Sequence, residues 1–204
     1  KKGLVNLERH INNVKKFGVE IVVAINHFVM DTENETKVLK EYCDSIGVKV
    51  SKCTHWSDGG EGTKDLAKKV VEVCENSNPK SFKFLYDEND GLWNKIEKIA
   101  KEIYKANSIT GDEEIKRQLE TFEKSGYKNL PVCIAKTQYS FSIDPKLKGA
   151  PKDHEIPIRE VRLSSGAEFI VVVCGSIMTM PGLPRVPAAD SIKLNDKGEI
   201  EGLF

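Results

Sequence analysis

The sequence predicts an α/β fold, with a mostly parallel sheet flanked by helices in the first half and a smaller mixed α+β sheet region in the second. Three observations point there. Amphipathic helical stretches alternate with short apolar runs as far as Tyr104, and that alternation demands crossover connections and hence parallel strands. The run Ile21-Val22-Val23-Ala24-Ile25 is apolar on both faces, as in a strand covered on both sides. After Ala135 the helical periodicity stops and extended segments take over.

Taken in order, Leu4, Leu7, Ile11, Val14 and Phe17 recur at helical spacing with Lys, Arg, Asn and Glu between them. Gly18 is placed to end that helix in a left-handed cap. A strand follows from Val19 to Asn26. Asp31 or Thr32 then caps a second helix, and Thr32-Glu33-Asn34-Glu35 fits the capping-box pattern. Val38, Leu39, Tyr42 and Ile46 form its apolar stripe, and Gly47 closes it. Val48 to Cys53 reads as a second strand, followed by a Gly-rich loop and a helix bearing Leu66, Val70 and Val73. Phe82 to Tyr86 reads as a third strand, and Leu92, Ile96, Ile99 and Ile103 mark the next helix.

In the second half, Asp112 to Ser125 is helical through Ile115, Leu119 and Phe122, and Val132 to Ala135 is a buried strand. Ile156–Leu163 and Glu168–Cys174 are extended and separated by Ser164-Ser165-Gly166-Ala167, so a hairpin is expected. Pro181 to Pro187 excludes helix interior and central strand. A small hairpin around Asn195-Asp196-Lys197-Gly198 ends the chain. The expected division is an α/β domain over residues 1–106 and an α+β domain over 107–204. The chain opens Lys1-Lys2-Gly3 without Met and enters a helix almost at once, so a longer protein is expected upstream.

Composition narrows the function classes. With 31 Lys plus Arg against 31 Asp plus Glu, the formal charge is zero, which argues against a nucleic-acid or anionic-membrane binder. No apolar run approaches the roughly 20 residues of a membrane span. The five cysteines form no Cys-x-x-Cys pair; most lie among apolar neighbours and read as reduced core thiols, which suits a cytoplasmic setting.

In an open α/β sheet, ligands bind beyond the carboxyl ends of the strands. The first strand runs into His27-Phe28 and the second into Thr54-His55-Trp56, so two aromatics stand at equivalent strand ends. Either they sandwich a flat heterocycle or each simply covers the top of the sheet. Asn26 and Asp31 flank Phe28 as polar groups able to support a ligand, although Asp31 serves equally as a helix cap. Ser57-Asp58-Gly59-Gly60-Glu61-Gly62-Thr63-Lys64 is either a close-approach loop over a ligand or a tight turn. It departs from the triphosphate-binding order Gly-Lys-[Ser/Thr], because Thr63 intervenes and no hydroxyl follows Lys64. His27 and His55 lack a third ligand at suitable spacing, so no metal is assigned.

Several segments together resemble formate–tetrahydrofolate ligase: Asn6-Leu7-Glu8-Arg9-His10-Ile11, Ala24-Ile25-Asn26-His27-Phe28 with Asp31-Thr32, and the Trp56…Gly59-Gly60 loop. So do Leu130 to Ser140, Met178 to Ala189 and the closing Gly202-Leu203-Phe204. The resemblance runs in order along essentially the whole chain. It implies an ATP-dependent enzyme of one-carbon metabolism that phosphorylates formate and passes the formyl group to N10 of tetrahydrofolate. It implies that Phe28 and Trp56 stack on the folate ring system; Asn26, Asp31, Gly59 and Gly60, which flank them in the sequence, are the candidate supporting residues. It further implies ATP with Mg as co-substrate and a homo-oligomer, a tetramer in the family. The family's P-loop is absent from these residues, so the chain is expected to be inactive alone and to need the missing N-terminal region as its partner. The alternative is a stand-alone, non-catalytic pteridine- or nucleotide-binding module. One departure is Glu168, where the family usually carries Gly.

Overall fold

The computed structural model describes residues 1–135, 139–176 and 184–202. The α/β expectation holds. The first part is α1 (Leu4–Lys15), β1 (Val22–Asn26), α2 (Glu33–Ser45), β2 (Lys49–Cys53), the single turn α3 (His55–Asp58) and α4 (Lys64–Asn76). Strands β1 and β2 pair in parallel from Val22 opposite Lys49 to Asn26 opposite Cys53. Val23, Ile25, Val48 and Val50 meet Leu7 and Ile11 of α1 and Cys43 and Ile46 of the α2 end. On the other face Ser51 donates to Asp65 of α4 at 2.5 Å, and Lys69 of α4 donates to the Val50 carbonyl at 2.8 Å.

Local chemistry accounts for the boundaries. Thr32 and Glu35 exchange bonds as a capping box at the start of α2, and Gly18 and Gly47 take the positive φ that ends α1 and α2. The chain around Gly18 has no room for a side chain, since a Cβ would lie 2.0 Å from the Ser81 carbonyl oxygen.

The second part is α5 (Leu92–Ile99), extended by a π turn over Ala100–Tyr104, then β3 (Ser108–Thr110) and α6 (Glu113–Phe122). Asp112 caps α6 by accepting from Ile115 N–H at 2.9 Å. Strands β4 (Val132–Ala135), β5 (Glu155–Ser164) and β6 (Phe169–Cys174) follow, with a small hairpin of β7 (Lys193–Leu194) and β8 (Ile200–Glu201). The sheet order is β3-β5-β6-β4. The expected hairpin is the antiparallel β5–β6 pair, while β3 joins β5 and β4 joins β6 in parallel. Its core gathers Leu92, Ile96, Ala100, Ile109, Ile115, Leu119, Ile156, Val161, Ile170 and Val172, drawing on residues both before and after position 107.

The structure corrects several expectations. β4 is half-exposed rather than buried, and Cys74 and Cys133 are exposed rather than core thiols. Phe82–Tyr86 is not a strand. Its groups serve elsewhere: Lys83 N–H donates to the Phe17 carbonyl at 3.0 Å, Phe82 stacks on Phe17, and the Tyr86 hydroxyl accepts from Val132 N–H at 3.0 Å. The parallel sheet of the first part therefore has two strands among the described residues, not three. β1 is half-buried rather than covered on both faces: Ala24 and Asn26, on one face, are exposed, and among the described residues only its β2 edge is paired. Its other side opens on a cavity of about 650 Å³ between α1 and α2.

The reading of α1 also changes. The polar residues between the apolar positions of α1 do not all face water. Asn13 donates to the Ile103 carbonyl at 2.9 Å, Lys16 to the Glu102 carbonyl at 2.9 Å, and Arg9 to the carbonyls of Pro151 and Ala150 at 3.2 Å each. The end of the α5 helix leaves carbonyls without partners in the helix, and α1 supplies donors for them. This stripe fastens the first part to the second.

Candidate functional site

The site follows from two parallel strands that end side by side. The last register pair is Asn26 with Cys53, and His27 N–H continues the ladder by donating to the Cys53 carbonyl at 3.0 Å. Phe28 and Trp56 come next on either chain. Their ring centroids are 6.1 Å apart with planes inclined at 59°. Both rings remain open to solvent, Phe28 at 42% and Trp56 at 64% exposure. Exposed aromatics set together at one rim are an uncommon use of apolar surface in a folded chain.

Each ring sits on a short turn closed by polar groups. In the first, Asp31 Oδ2 accepts from Phe28 N–H at 2.8 Å, and Asp31 N–H donates to the Phe28 carbonyl at 3.0 Å. His27 Nδ1 faces the same carboxylate oxygen at 3.7 Å. Thr32, not Asp31, is the α2 cap, which settles that alternative. Its partner Glu35 is held below the usual carboxylate range, first by the Thr32 N–H and then by the Thr32 hydroxyl.

In the second turn the Asp58 N–H donates to the Thr54 carbonyl at 2.9 Å, and the Thr54 hydroxyl donates to Asp58 Oδ2 at 2.6 Å. Ser57 Oγ donates to Asp58 Oδ1 at 3.0 Å. These hydroxyls, Thr54 first, hold the Asp58 carboxyl below its ordinary value. Gly59 adopts φ +57 and ψ −140, a conformation that side chains resist. Gly60 faces open space. Gly62 packs directly on Thr54, where a Cβ would come within 2.5 Å of the backbone.

Among the sequence-predicted residues, then, Phe28 and Trp56 are brought together. Asn26 and Asp31 share the wall of the 650 Å³ cavity with Leu4, Leu7 and Asn34. Gly59 and Gly60 form the loop after Trp56. Asp58 and Gly62 fall in the loop flagged from the sequence, but their tie to Thr54 was not read; the hydroxyl–carboxylate spacing of four across Thr54 and Asp58 was the available signal. Part of the resembling Leu130–Ser140 segment, residues 136–138, lies outside the described residues, as do 177–183 and 203–204. Among the described residues no three His, Cys, Asp or Glu side chains converge as a metal site, and no helix is long and apolar enough to cross a membrane.

Comparison with known proteins gives the same family as the motifs. The family model for formate–tetrahydrofolate ligase matches residues 1–204. The chain is 67% identical over 204 residues to the formate–tetrahydrofolate ligase of Pelagibacter ubique and 57% identical over 203 residues to that of Ruegeria pomeroyi. It is 53% identical over 204 residues to that of Rhizobium meliloti. In each case all of this chain aligns but only 36% of the relative, so the chain spans about a third of the length of the proteins it matches. On this agreement between motifs, ring geometry and end-to-end similarity, the chain belongs to the formate–tetrahydrofolate ligase family.

Proposed function

We propose that this chain supplies the folate-side pocket of an ATP-dependent formate–tetrahydrofolate ligase, with Phe28 and Trp56 stacking on the pterin and Asn26, Asp31, Gly59 and Gly60 in support. The observation that carries the reading is the pair of exposed rings, 6.1 Å apart at the carboxyl ends of adjacent parallel strands.

In the proposed reaction a formate oxygen attacks the γ-phosphorus of ATP, giving formyl phosphate and ADP. N10 of tetrahydrofolate then attacks the formyl carbon, the carbon–oxygen bond to phosphate breaks, and the N10 proton passes to a base. The contribution of this chain is orientation. A flat ring held between two others needs about 7 Å between their planes, twice an optimal carbon–carbon contact. The rings stand slightly closer than that and inclined, so one of them swings as the pterin enters. Trp56, the more exposed of the two, is the one free to do so. Stacking also shields one side of the acceptor from water, to which formyl phosphate is sensitive.

The Gly-rich loop does not fit a triphosphate. Lys64 is paired with Glu61 at 2.7 Å, and no hydroxyl side chain follows it. We therefore assign ATP and its Mg to residues outside these 204, and the chain by itself no turnover. In the same reading the complete enzyme is cytoplasmic and homo-oligomeric.

The test is a titration of the 204-residue chain with tetrahydrofolate while Trp emission is followed. Quenching is expected in the wild type and in Trp93→Phe, and is expected to vanish in Trp56→Ala. Quenching that survives in Trp56→Ala, or formate-dependent ADP release by the chain alone, would overturn the assignment.

A further inference from the structure

We propose that Asp31 and Asp58 are positioning residues for the ring pair, each carboxylate closing the turn that carries one aromatic. The inference rests on the folate-side reading above and names the groups that set its geometry. The chain between the end of β1 and the α2 cap is five residues long, and two of them, Val29 and Met30, project into solvent at 79% and 90% exposure. No apolar packing at that tip fixes the backbone of Phe28. Asp31 does so instead, because both main-chain polar groups of Phe28 are bonded to it, the N–H to Oδ2 at 2.8 Å and the carbonyl to the Asp31 N–H at 3.0 Å. With both peptide groups held, the direction of the Phe28 Cα–Cβ bond is set.

The opposite turn uses the same device. Asp58 draws in the Thr54 hydroxyl at 2.6 Å and the Ser57 hydroxyl at 3.0 Å, while the N–H groups of Ser57 and Asp58 both go to the Thr54 carbonyl. Trp56 lies inside this closed loop. Thr54 N–H is tied in turn to the Gly62 carbonyl at 3.1 Å. A hydrogen bond with a charged acceptor is stronger than a neutral one, so these carboxylates are well suited to holding exposed turns. Neither turn has a buried apolar residue to do that work.

The experiment uses the 204-residue chain carrying Trp93→Phe, so that emission reports Trp56 alone. Tetrahydrofolate, kept anaerobic, is the probe. Asp31→Ala and Asp58→Ala are expected to raise the Kd by about tenfold, the scale of losing a hydrogen bond to a charged partner. Asp31→Asn and Asp58→Asn keep one neutral acceptor oxygen and are expected to fall between wild type and the alanine variants, at about threefold, while the control Glu61→Gln on the same loop is expected to stay within about twofold. Thr54→Val removes the donor while leaving Asp58 in place, and is expected to follow Asp58→Ala. In the ligand-free chain, Asp58→Ala is expected to lower the fluorescence anisotropy of Trp56, with Asp31→Ala leaving it unchanged. Alanine variants that bind like wild type, asparagine variants as weak as the alanine ones, or unchanged anisotropy in Asp58→Ala would each overturn the proposal. Absence of any quenching in the parent chain instead removes the folate reading, and the anisotropy comparison still decides the role of Asp58.

Discussion

The two parts of the molecule differ in how much they bury. Among the described residues, the core around β3–β6 contains thirteen buried apolar residues, and the core beneath β1 and β2 contains four: Ile11, Cys43, Val48 and Val50. The ring pair lies on the thinly cored part. Opening free energies within a protein follow local burial, so the first part is expected to open more readily than the second. The proposed entry of a flat ligand between the two rings would gain from that. The α1 donors Asn13, Arg9 and Lys16 offset the looseness by holding the first part to the carbonyls of the second.

The sharpest way to break this comparison is a matched pair of core truncations. Ile96 is fully buried in the larger core, and Ile96→Ala is expected to cost about 3–4 kcal/mol, within the range for an isoleucine that leaves a cavity. Ile11→Ala in the smaller core should cost about 2 kcal/mol, since a site bordered by half-exposed neighbours relaxes more fully. Denaturant melts give the totals, and amide hydrogen exchange locates them. Equal losses, with protection falling equally in both parts, would erase the distinction.

Tyr104 gives a pH lever on the larger core. Burial is the main cause that pushes its hydroxyl from the ordinary 10 up to about 12. Between those values the unfolded chain has already lost the proton that the folded chain keeps, so stability is full below about pH 10 and falls as pH rises toward 12. The loss is of the order of 2 kcal/mol, two pKa units at about 1.4 kcal/mol each with some screening. Tyr104→Phe should flatten that part of the stability profile relative to wild type; an identical alkaline decline in both would refute the assignment.

Next in size is the link between the parts. Asn13→Ala removes the donor to the Ile103 carbonyl and is expected to cost about 1–1.5 kcal/mol, the scale of one part-buried hydrogen bond. Its more telling effect is on cooperativity. Trp56 fluorescence, which reports the first part, should lose its transition at lower denaturant than Trp93 fluorescence, which reports the second. Coincident transitions would show that the α1 stripe does not couple the parts.

What was legible in the sequence depended on range. Features set by near neighbours were readable: the Thr32–Glu35 box, the left-handed Gly18 and Gly47 and the β5–β6 hairpin; Asp112, read as helical, proves to be the cap of α6. Features set by distant partners were not. Asn13 and Arg9 look like the wet face of α1 until the carbonyls of residues 103, 150 and 151 are placed against them. The apolar run at Phe82–Tyr86 has the composition of a strand, yet its backbone and ring bonds go to Phe17 and Val132. The juxtaposition of Phe28 and Trp56 was readable only because parallel strands leave their ends on the same rim. Of the carboxylates that close their turns, Asp31 was already flagged beside Phe28, whereas the bonds it and Asp58 make needed the turn geometry.

Glu168 is the smallest test, and its sign is opposite to the others. It occupies φ +57 and ψ +46 between a short helical turn and β6, where an L side chain crowds the following carbonyl. Glycine adopts that conformation without the crowding. Glu168→Gly relieves the crowding but loosens the unfolded chain, which leaves a net gain of about 0.5–1 kcal/mol. Glu168→Ala keeps the Cβ and should leave stability almost unchanged, which separates backbone relief from loss of the carboxylate. Since Glu168 precedes the Phe169 to Cys174 strand of the larger core, the gain should appear as added amide hydrogen-exchange protection in that core. A Gly variant no more stable than wild type, or an Ala variant that gains as much, would place the benefit elsewhere than the backbone.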